Sequence, residues 1–213
     1  MKKLIDLTVK EYVLETDSAS PAPGGGSASA LAGALGMALG RMVGHLTIPK
    51  KKFQTIDEAV QQDIINAHEM MKKLEQKMLD CIDADTAAFN AIMAAIKMPK
   101  DTDDDKALRA KKLAEASIKA AQIPLDIATI AHDALLSMKP ITIYGNKNAL
   151  SDIGVSVLML KTALEGAVMN VRINLPGITD DTVQRAMRQS IDDLFESGTQ
   201  TANALLKSIY DRL

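Results

Sequence analysis

Small residues recur at every fourth position between residues 28 and 44 of this 213-residue chain, namely Ala28, Ala32, Gly36, Gly40 and Gly44. Because an α-helix completes a turn in 3.6 residues, this spacing leaves one helical face almost without side chains. Three glycines inside one helix cost up to about 3 kcal/mol relative to alanine unless the bare backbone is packed against something. We therefore predict a helix over residues 28–46, with another helix of this chain or of a second subunit against its bare face.

Apolar residues at helical spacing also mark the remainder of the chain. The predicted helical segments are 2–15, 53–98 as one helix or two, 104–138 with a kink at Pro124, 148–174 and 179–213, and residues 140–146 are predicted to form a turn or a brief extended piece. Aromatic residues make up only 3% of the chain and Trp is absent, which disfavours sheets. These features predict an all-α protein, a single-domain bundle of five to seven helices that spans residues 1–213.

Composition and charge exclude several classes of function. A formal net charge of -2 gives no basis for binding nucleic acid. The apolar run from Ser27 to Gly40 has about 14 residues, fewer than the roughly 18 to 20 needed to span a membrane, so we expect a buried helix. Residues 1–10 have no apolar h-region, so we expect no signal peptide, and with Cys81 as the only cysteine we expect a cytoplasmic protein. The three histidines lack metal-ligand spacing, so no metal site is predicted.

The sharpest boundary in the sequence is the segment from Pro21 to Ser27, which ends in Gly24, Gly25, Gly26 and Ser27. Two prolines and three glycines prevent regular structure there, and Ser27 is predicted to cap the following helix. Free N–H groups at that helix start suit an anionic or carbonyl group of a ligand. The segment is not a P-loop, because the Gly-Lys-Ser/Thr ending and a preceding strand are missing. A flexible hinge is the structural alternative.

Asp85 shares its predicted helical face with Cys81, Ile82, Ala88 and Phe89, so it should point toward the core. A carboxylate in such surroundings is unfavourable unless it is paired or used, which makes Asp85 the leading catalytic candidate. A structural pairing with a buried Lys or Arg is an equally open alternative.

Three further polar groups have both a functional and a structural interpretation. Ser151 and Asp152 either belong to a site or satisfy backbone donors in the first turn of a helix. Asn170 and Asn174 lie four residues apart on a crowded face, where amides usually hydrogen-bond between helices. The basic run of Lys50, Lys51 and Lys52 is either a solvated helix end or a site for carboxylates.

With these residues in view, the chain resembles the cyclodeaminase/cyclohydrolase family, which includes the C-terminal half of formiminotransferase-cyclodeaminase and stand-alone bacterial methenyltetrahydrofolate cyclohydrolases. The resemblance covers nearly the whole chain. It rests on Pro21–Ser27, Asp83-Ala84-Asp85 with Ala88-Phe89, Met98-Pro99-Lys100, Gly145-Asn146 with Ser151-Asp152, and Asn170-Val171 with Ile173-Asn174-Leu175. It implies an all-helical homodimer with its site near the subunit contact, a tetrahydrofolate derivative as substrate, no tightly bound cofactor, and a separate formiminotransferase as partner.

The resemblance also implies roles for the candidate residues. Asp85 is expected to act in catalysis, with Asp152 or Lys51 as the second proton-transfer group. The expected substrate-binding residues are Gly24, Gly25, Gly26, Ser27, Lys50, Asn146, Ser151, Asn170 and Asn174. The expected reaction converts 5-formiminotetrahydrofolate to 5,10-methenyltetrahydrofolate and ammonia. Hydrolysis of the methenyl compound to 10-formyltetrahydrofolate and a non-catalytic folate-binding or partner-binding dimer are the alternatives.

Overall fold

The computed structural model describes residues 3–213, which form six α-helices and four short 3-10 turns. The α-helices are α1 (Val9–Thr16), α2 (Gly25–Thr47), α3 (Glu58–Ile96), α4 (Asp103–Tyr144), α5 (Leu150–Asn174) and α6 (Asp181–Tyr210). The 3-10 turns are Leu4–Asp6, Phe53–Thr55, Lys147–Ala149 and Leu175–Gly177. No β-strand occurs in the described part of the chain, which confirms the all-α prediction and its helix number.

Helix α5 is the central element, and it packs against α2, α4 and α6. Its side chains Ile153, Val157, Leu160 and Leu164 are completely buried. Helix α3 completes the bundle by packing against α2 and α4. Because α5 is apolar around most of its circumference, its burial by three neighbours supplies much of the hydrophobic stabilisation.

The glycine part of the bare face of α2 is covered from within this chain, whereas Ala28 is exposed. At Gly36 an added methyl carbon would lie 3.0 Å from the carbonyl oxygen of Ser156 on α5, closer than packed side chains normally approach. The Ser156 hydroxyl donates a hydrogen bond of 2.6 Å to the Gly36 carbonyl. Gly36 therefore lets α5 lie directly against the backbone of α2, while Gly44 meets His68 of α3, so the glycine part of this face is not the contact with a second subunit.

Several predicted boundaries are wrong at the helix starts. Residues 4–15 contain a 3-10 turn followed by α1, because a capping box between Thr8 and Glu11 starts a new helix there; Lys2 of this predicted segment lies outside the described residues. Helix α2 begins at Gly25 with Gly24 as its N-cap, so Ser27 lies inside the first turn and does not cap it. Helix α6 is capped by Asp180 instead of Thr179.

The end of α4 is also wrong in the sequence prediction. The helix continues through Pro140 to Tyr144, where a turn or extended piece is predicted. Proline removes one backbone donor, but Met138, Ile141 and Thr142 beside it are at most 1% exposed. The burial of these side chains favours continuation of the helix over its local interruption.

One surface of the bundle stays apolar. Its exposed side chains are Leu35, Met42 and Leu46 on α2 and Val155, Leu158, Met169 and Ile173 on α5. Since α2 and α5 pack side by side, we call this set the α2–α5 face. Within residues 3–213, none of the helices combines the length and the apolar character that crossing a membrane requires.

Candidate active site

The Asp85 carboxylate of α3 lies at the N-terminus of α2. Its Oδ2 atom accepts a 3.0 Å hydrogen bond from the backbone N–H of Ser27. A carboxylate is favourable at this end of a helix because the free N–H groups carry partial positive charge. Within the described part of the chain, no Lys, Arg or His forms an ion pair with Asp85, so the structural pairing considered from the sequence is not found.

Gly26 and Ser27 determine how closely Asp85 approaches α2. A methyl group on Gly26 would overlap the Asp85 carboxylate. The Ser27 hydroxyl donates a 2.7 Å hydrogen bond to the Ile82 carbonyl and lies 3.1 Å from the Thr86 hydroxyl, and both residues belong to α3. Ser27 is completely buried. The first turn of α2 and the middle of α3 are therefore joined at the position of Asp85.

Two opposing effects act on the acidity of Asp85. Burial disfavours the charged form and raises the pKa of the carboxyl above its ordinary value of 3.8, while the hydrogen bonds from Ser27 act in the opposite direction. Burial is the larger effect. A carboxylate with a raised pKa is a better proton acceptor and, once protonated, a usable proton donor.

A cavity of about 280 Å³ opens beside this carboxylate. Its polar lining consists of Gly24, Gly25, Gly26, Asp85, Asn170 and Asn174. Its apolar lining consists of Pro21, Ala22, Phe89, Ile92, Ala120 and Ile173. The volume lies just below the roughly 300 to 1,000 Å³ typical of small-molecule sites, so it suits part of such a ligand rather than the whole molecule.

The two asparagines contributed by α5 are fixed by backbone carbonyls. The Asn170 amide donates a 2.8 Å hydrogen bond to Gly166 in its own helix. The Asn174 amide donates a 2.8 Å hydrogen bond to Ala120 of α4, an interhelical bond of the kind anticipated from the sequence. Both side chains also line the cavity, so their structural bonds and a ligand-binding role are compatible.

The N-terminal segment contributes groups that the sequence reasoning missed. Asp83 accepts hydrogen bonds from the N–H groups of Leu4 and Ile5, at 2.7 and 3.3 Å, which attaches the first 3-10 turn to α3. The Tyr12 hydroxyl of α1 is buried without a hydrogen-bond partner in residues 3–213. Burial raises the pKa of Tyr12, with smaller contributions from Asp85 and Asp83. Tyr12 is a lone aromatic residue in a short amphipathic segment, and this pattern does not predict that it lies near Asp85 and Asp83.

Other candidate residues lie at the opposite end of the bundle. Lys50 and Asn146 line a second cavity of about 590 Å³. The Asn146 backbone N–H donates to the Thr47 hydroxyl at 2.9 Å, which joins the ends of α2 and α4. Lys51 and Ser151 are exposed, and Asp152 is half-buried in the first turn of α5.

These two groups do not meet in one subunit. The 23 residues of α2 separate them by about 33 Å, given a rise of 1.5 Å per residue. The structure therefore brings together Asp85, Gly24–Ser27, Asn170 and Asn174. It places Lys50 and Asn146 beside the second cavity, whose lining does not include Lys51, Ser151 or Asp152.

Known sequences resemble this chain over most of its length. A family model described as formiminotransferase-cyclodeaminase matches residues 8–193. Formimidoyltransferase-cyclodeaminase of Sus scrofa is 36% identical over 205 residues, covering 96% of this chain and 37% of that relative. The chain thus spans little more than a third of the length of this relative. Methenyltetrahydrofolate cyclohydrolase of Methylorubrum extorquens is 33% identical over 204 residues, covering 96% of this chain and 94% of that relative.

A solved structure has the same fold. The formiminotetrahydrofolate cyclodeaminase of Thermotoga maritima superposes with a TM-score of 0.84 at 25% identity, covering 97% of both chains. The resemblance inferred from the motifs is confirmed by these matches. The helical fold, the extent of the family match and the full-length relatives together show that the chain belongs to the formiminotransferase-cyclodeaminase family.

Proposed function

We propose that this protein is a folate one-carbon enzyme that converts 5-formiminotetrahydrofolate to 5,10-methenyltetrahydrofolate and ammonia. The observation that carries the proposal is the Asp85 carboxylate, which lies without an ion pair among the described residues in a cavity at the N-terminus of α2. Membership of a family whose relatives are named cyclodeaminases and cyclohydrolases supplies the substrate class.

The reaction requires one proton to move between two nitrogens. Nitrogen 10 attacks the carbon of the protonated formimino group on nitrogen 5, and the C=N electron pair moves to the formimino nitrogen. The proton on nitrogen 10 must then reach that nitrogen. The C–N bond breaks next, ammonia leaves with the bonding pair, and the positive charge stays on the methenyl product.

Asp85 is suited to carry this proton in both directions. As a carboxylate it accepts the proton from nitrogen 10, and as a carboxylic acid it donates the proton to the leaving amine. Its raised pKa makes the free energies of the carboxylate and the carboxylic acid more nearly equal near neutral pH. The apolar walls formed by Phe89, Ile92 and Ile173 hold the ring system and exclude water, so the two nitrogens stay in attacking geometry.

Cyclohydrolysis is the second candidate function. It uses the same carboxylate as a general base toward water, which attacks the methenyl carbon and yields the 10-formyl compound. The specific observation in its favour is the Methylorubrum extorquens cyclohydrolase, of which this chain covers 94%.

We also propose that the protein acts as a homodimer through the α2–α5 face. Seven large apolar side chains are exposed there, and a patch of this size usually marks an interaction site. If α2 of each subunit runs antiparallel to α2 of its partner, the Asp85 cavity of one subunit lies near the Lys50 end of the other. Lys50, Lys51, Asn146, Ser151 and Asp152 then belong to the substrate site across the subunit contact, with Lys51 or Asp152 as a second proton-transfer group.

One experiment tests the proposed reaction. The purified protein is given 5-formiminotetrahydrofolate and, separately, the 5,10-methenyl compound, while methenyl absorbance and ammonia are measured. We expect formation of methenyl absorbance with one ammonia per turnover. Loss of methenyl absorbance alone assigns cyclohydrolysis instead. Failure to convert either compound would contradict both enzymatic functions and leave the non-catalytic dimer.

A further inference from the structure

The amides of Asn170 and Asn174 have only one possible orientation. Each Nδ2 atom donates at 2.8 Å to a backbone carbonyl, that of Gly166 for Asn170 and that of Ala120 for Asn174. A carbonyl oxygen only accepts hydrogen bonds, so a flipped amide would bring two oxygens together. The Oδ1 atoms are therefore the free ends of both amides, and no donor in residues 3–213 is bonded to either of them.

The position of Asn170 brings its amide to the helix start beside Asp85. An added methyl carbon on Gly25 would lie 3.1 Å from Nδ2 and 3.4 Å from Oδ1 of Asn170, so the amide lies against the first residue of α2. Asn174 follows one turn later on α5 and lines the same cavity. Two free amide oxygens and one carboxylate are thus grouped around a single cavity.

No positively charged side chain of the described residues lines this cavity. Its unpaired donors are backbone N–H groups in the first turn of α2, and Asp85 already occupies that helix end. The side-chain atoms left without any hydrogen bond are the oxygen acceptors Oδ1 of both asparagines and Oδ1 of Asp85, while each Nδ2 atom keeps one further N–H bond. Such a set favours a cationic group with several N–H bonds over an anionic group.

We propose that Asn170, Asn174 and Asp85 form an amidinium subsite that binds the formimino nitrogen of the substrate and then the departing amine. This inference rests on the proposed function, which supplies the formimino group. The protonated formimino nitrogen carries two N–H bonds, and the amine in the intermediate carries three when protonated. Three oxygen acceptors match the latter number, so the subsite stabilises the leaving group as its C–N bond breaks.

The subsite also discriminates between the formimino substrate of deamination and the methenyl substrate of hydrolysis. A methenyl bridge presents a C–H bond where the formimino compound presents N–H bonds, so the amide oxygens have no nitrogen to bind in the hydrolytic substrate. Asn170 and Asn174 are therefore specificity-determining residues for deamination. Their removal should lower kcat/KM for the formimino substrate more than for the methenyl substrate.

The test uses formamidinium chloride, a small amidinium ion, as a competitive inhibitor and in thermal-shift titrations. Tetramethylammonium chloride at equal concentration is the control ion, because it has the charge without N–H bonds. The variants are Asn170→Leu, Asn174→Leu and Asn174→Asp, and Asn66→Leu on the exposed side of α3 is the matched control. We expect each leucine variant to raise the inhibition constant of formamidinium about tenfold or more, and the control variant to leave it unchanged.

The aspartate variant distinguishes ligand binding from structural support. Leucine and aspartate both lose the N–H donor to the Ala120 carbonyl, but only aspartate keeps an oxygen acceptor. Recovery of formamidinium inhibition in Asn174→Asp supports the subsite, and equal loss in both variants overturns it. Cyclodeamination without formamidinium binding also overturns the subsite while the proposed function stands. Formamidinium binding without cyclodeamination supports the subsite and contradicts the proposed function.

Discussion

Gly26 of α2 and Asp85 of α3 are in such close contact that no side chain fits between them. The carboxylate occupies the volume that a Cβ atom on Gly26 would need. This contact places the Asp85 oxygens at the free N–H groups of α2 and beside the cavity. The identity of residue 26 therefore controls the position of the candidate catalytic group.

Replacing Gly26 with alanine should lower the activity without destabilising helix α2. The added methyl group displaces the carboxylate, and we expect kcat to fall about 100-fold or more, the usual effect of losing a positioned acid or base. Alanine is also the better helix former by up to about 1 kcal/mol, so the fold itself should survive. Steady-state kinetics and circular dichroism of the variant check both expectations.

Gly154→Ala is the matched control for this substitution. Gly154 lies within α5, and an added methyl carbon meets only a side-chain atom of Ile209 at 3.5 Å, an ordinary contact. This variant should keep full activity. Equal kcat in Gly26→Ala and the wild type would contradict the role assigned to Asp85.

Asp85→Asn should remove activity and raise stability at neutral pH. Because the folded pKa of Asp85 is raised, the group favours the fold most below its ordinary value of 3.8 and loses that contribution as the pH rises through the folded pKa. At neutral pH the buried charge is unfavourable, and the amide has no such cost. We expect a kcat about 10² to 10⁴-fold lower and a higher Tm than the wild type at pH 7.

The pH dependence of the Tm gives the second check on Asp85. The stabilisation by Asp85→Asn should shrink as the pH falls toward 4, since the wild-type carboxyl becomes protonated there. A Tm that is lower in the variant than in the wild type at every pH would show that the carboxylate stabilises the fold.

The burial of His68 predicts that the free energy of unfolding decreases in mild acid. Its side chain packs on Gly44 and its Nε2 atom is buried without a hydrogen bond among the described residues. Burial lowers the pKa of His68 below 6.5, with smaller contributions from His45 and Arg41, and Glu69 opposes the shift. The fold therefore prefers neutral His68, and its stability should fall as the pH decreases through 6.5 toward the folded pKa.

Urea unfolding of the wild type and His68→Gln between pH 7.5 and 5 measures this effect. The wild type should lose more unfolding free energy over this range than the variant, which has no group titrating at that position. His132→Gln provides the control, because His132 lies elsewhere and contacts Ser197. Parallel pH profiles for wild type and His68→Gln would contradict the prediction.

Leu35→Lys should dissociate the proposed dimer. Leu35 is 47% exposed in the middle of the α2–α5 face, so a lysine is harmless to the isolated subunit and unfavourable in an apolar contact. Sedimentation velocity should show a dimer for the wild type and a monomer for the variant. Leu108→Lys near the start of α4 is the control, since Leu108 is 49% exposed and does not belong to that face.

Mixed subunits test whether the partner completes the site. The Asp85→Asn variant and the Lys50→Glu variant should each have low activity on their own. A dimer that contains one subunit of each has one site in which both Asp85 and Lys50 are intact. We expect activity to return on mixing after reversible dissociation. Activity that stays at the level of the separate variants would place Lys50 outside the site.

The amino-acid sequence by itself determined where the helices occur. The spacing of apolar residues, the spacing of glycines and the positions of prolines are local features that do not depend on tertiary contacts. It also singled out Asp85 and the Gly24–Ser27 segment as separate candidates, and the family resemblance implied that both serve the substrate. Asp85 on an apolar face and free amides at a helix start are both visible in the spacing of residues.

The tertiary structure alone decided which polar residues share a cavity. Asp85 and Asp152 are both catalytic candidates in the sequence, with Asp85 the leading one, yet the length of α2 places their surroundings at opposite ends of the bundle. It also decided that α4 continues through Pro140, because burial of Ile141 and Thr142 outweighs the missing backbone donor. Contacts between distant segments, such as Ser27 with α3 and Asn174 with α4, depend on the packing of whole helices, and that packing has no local signature in the chain.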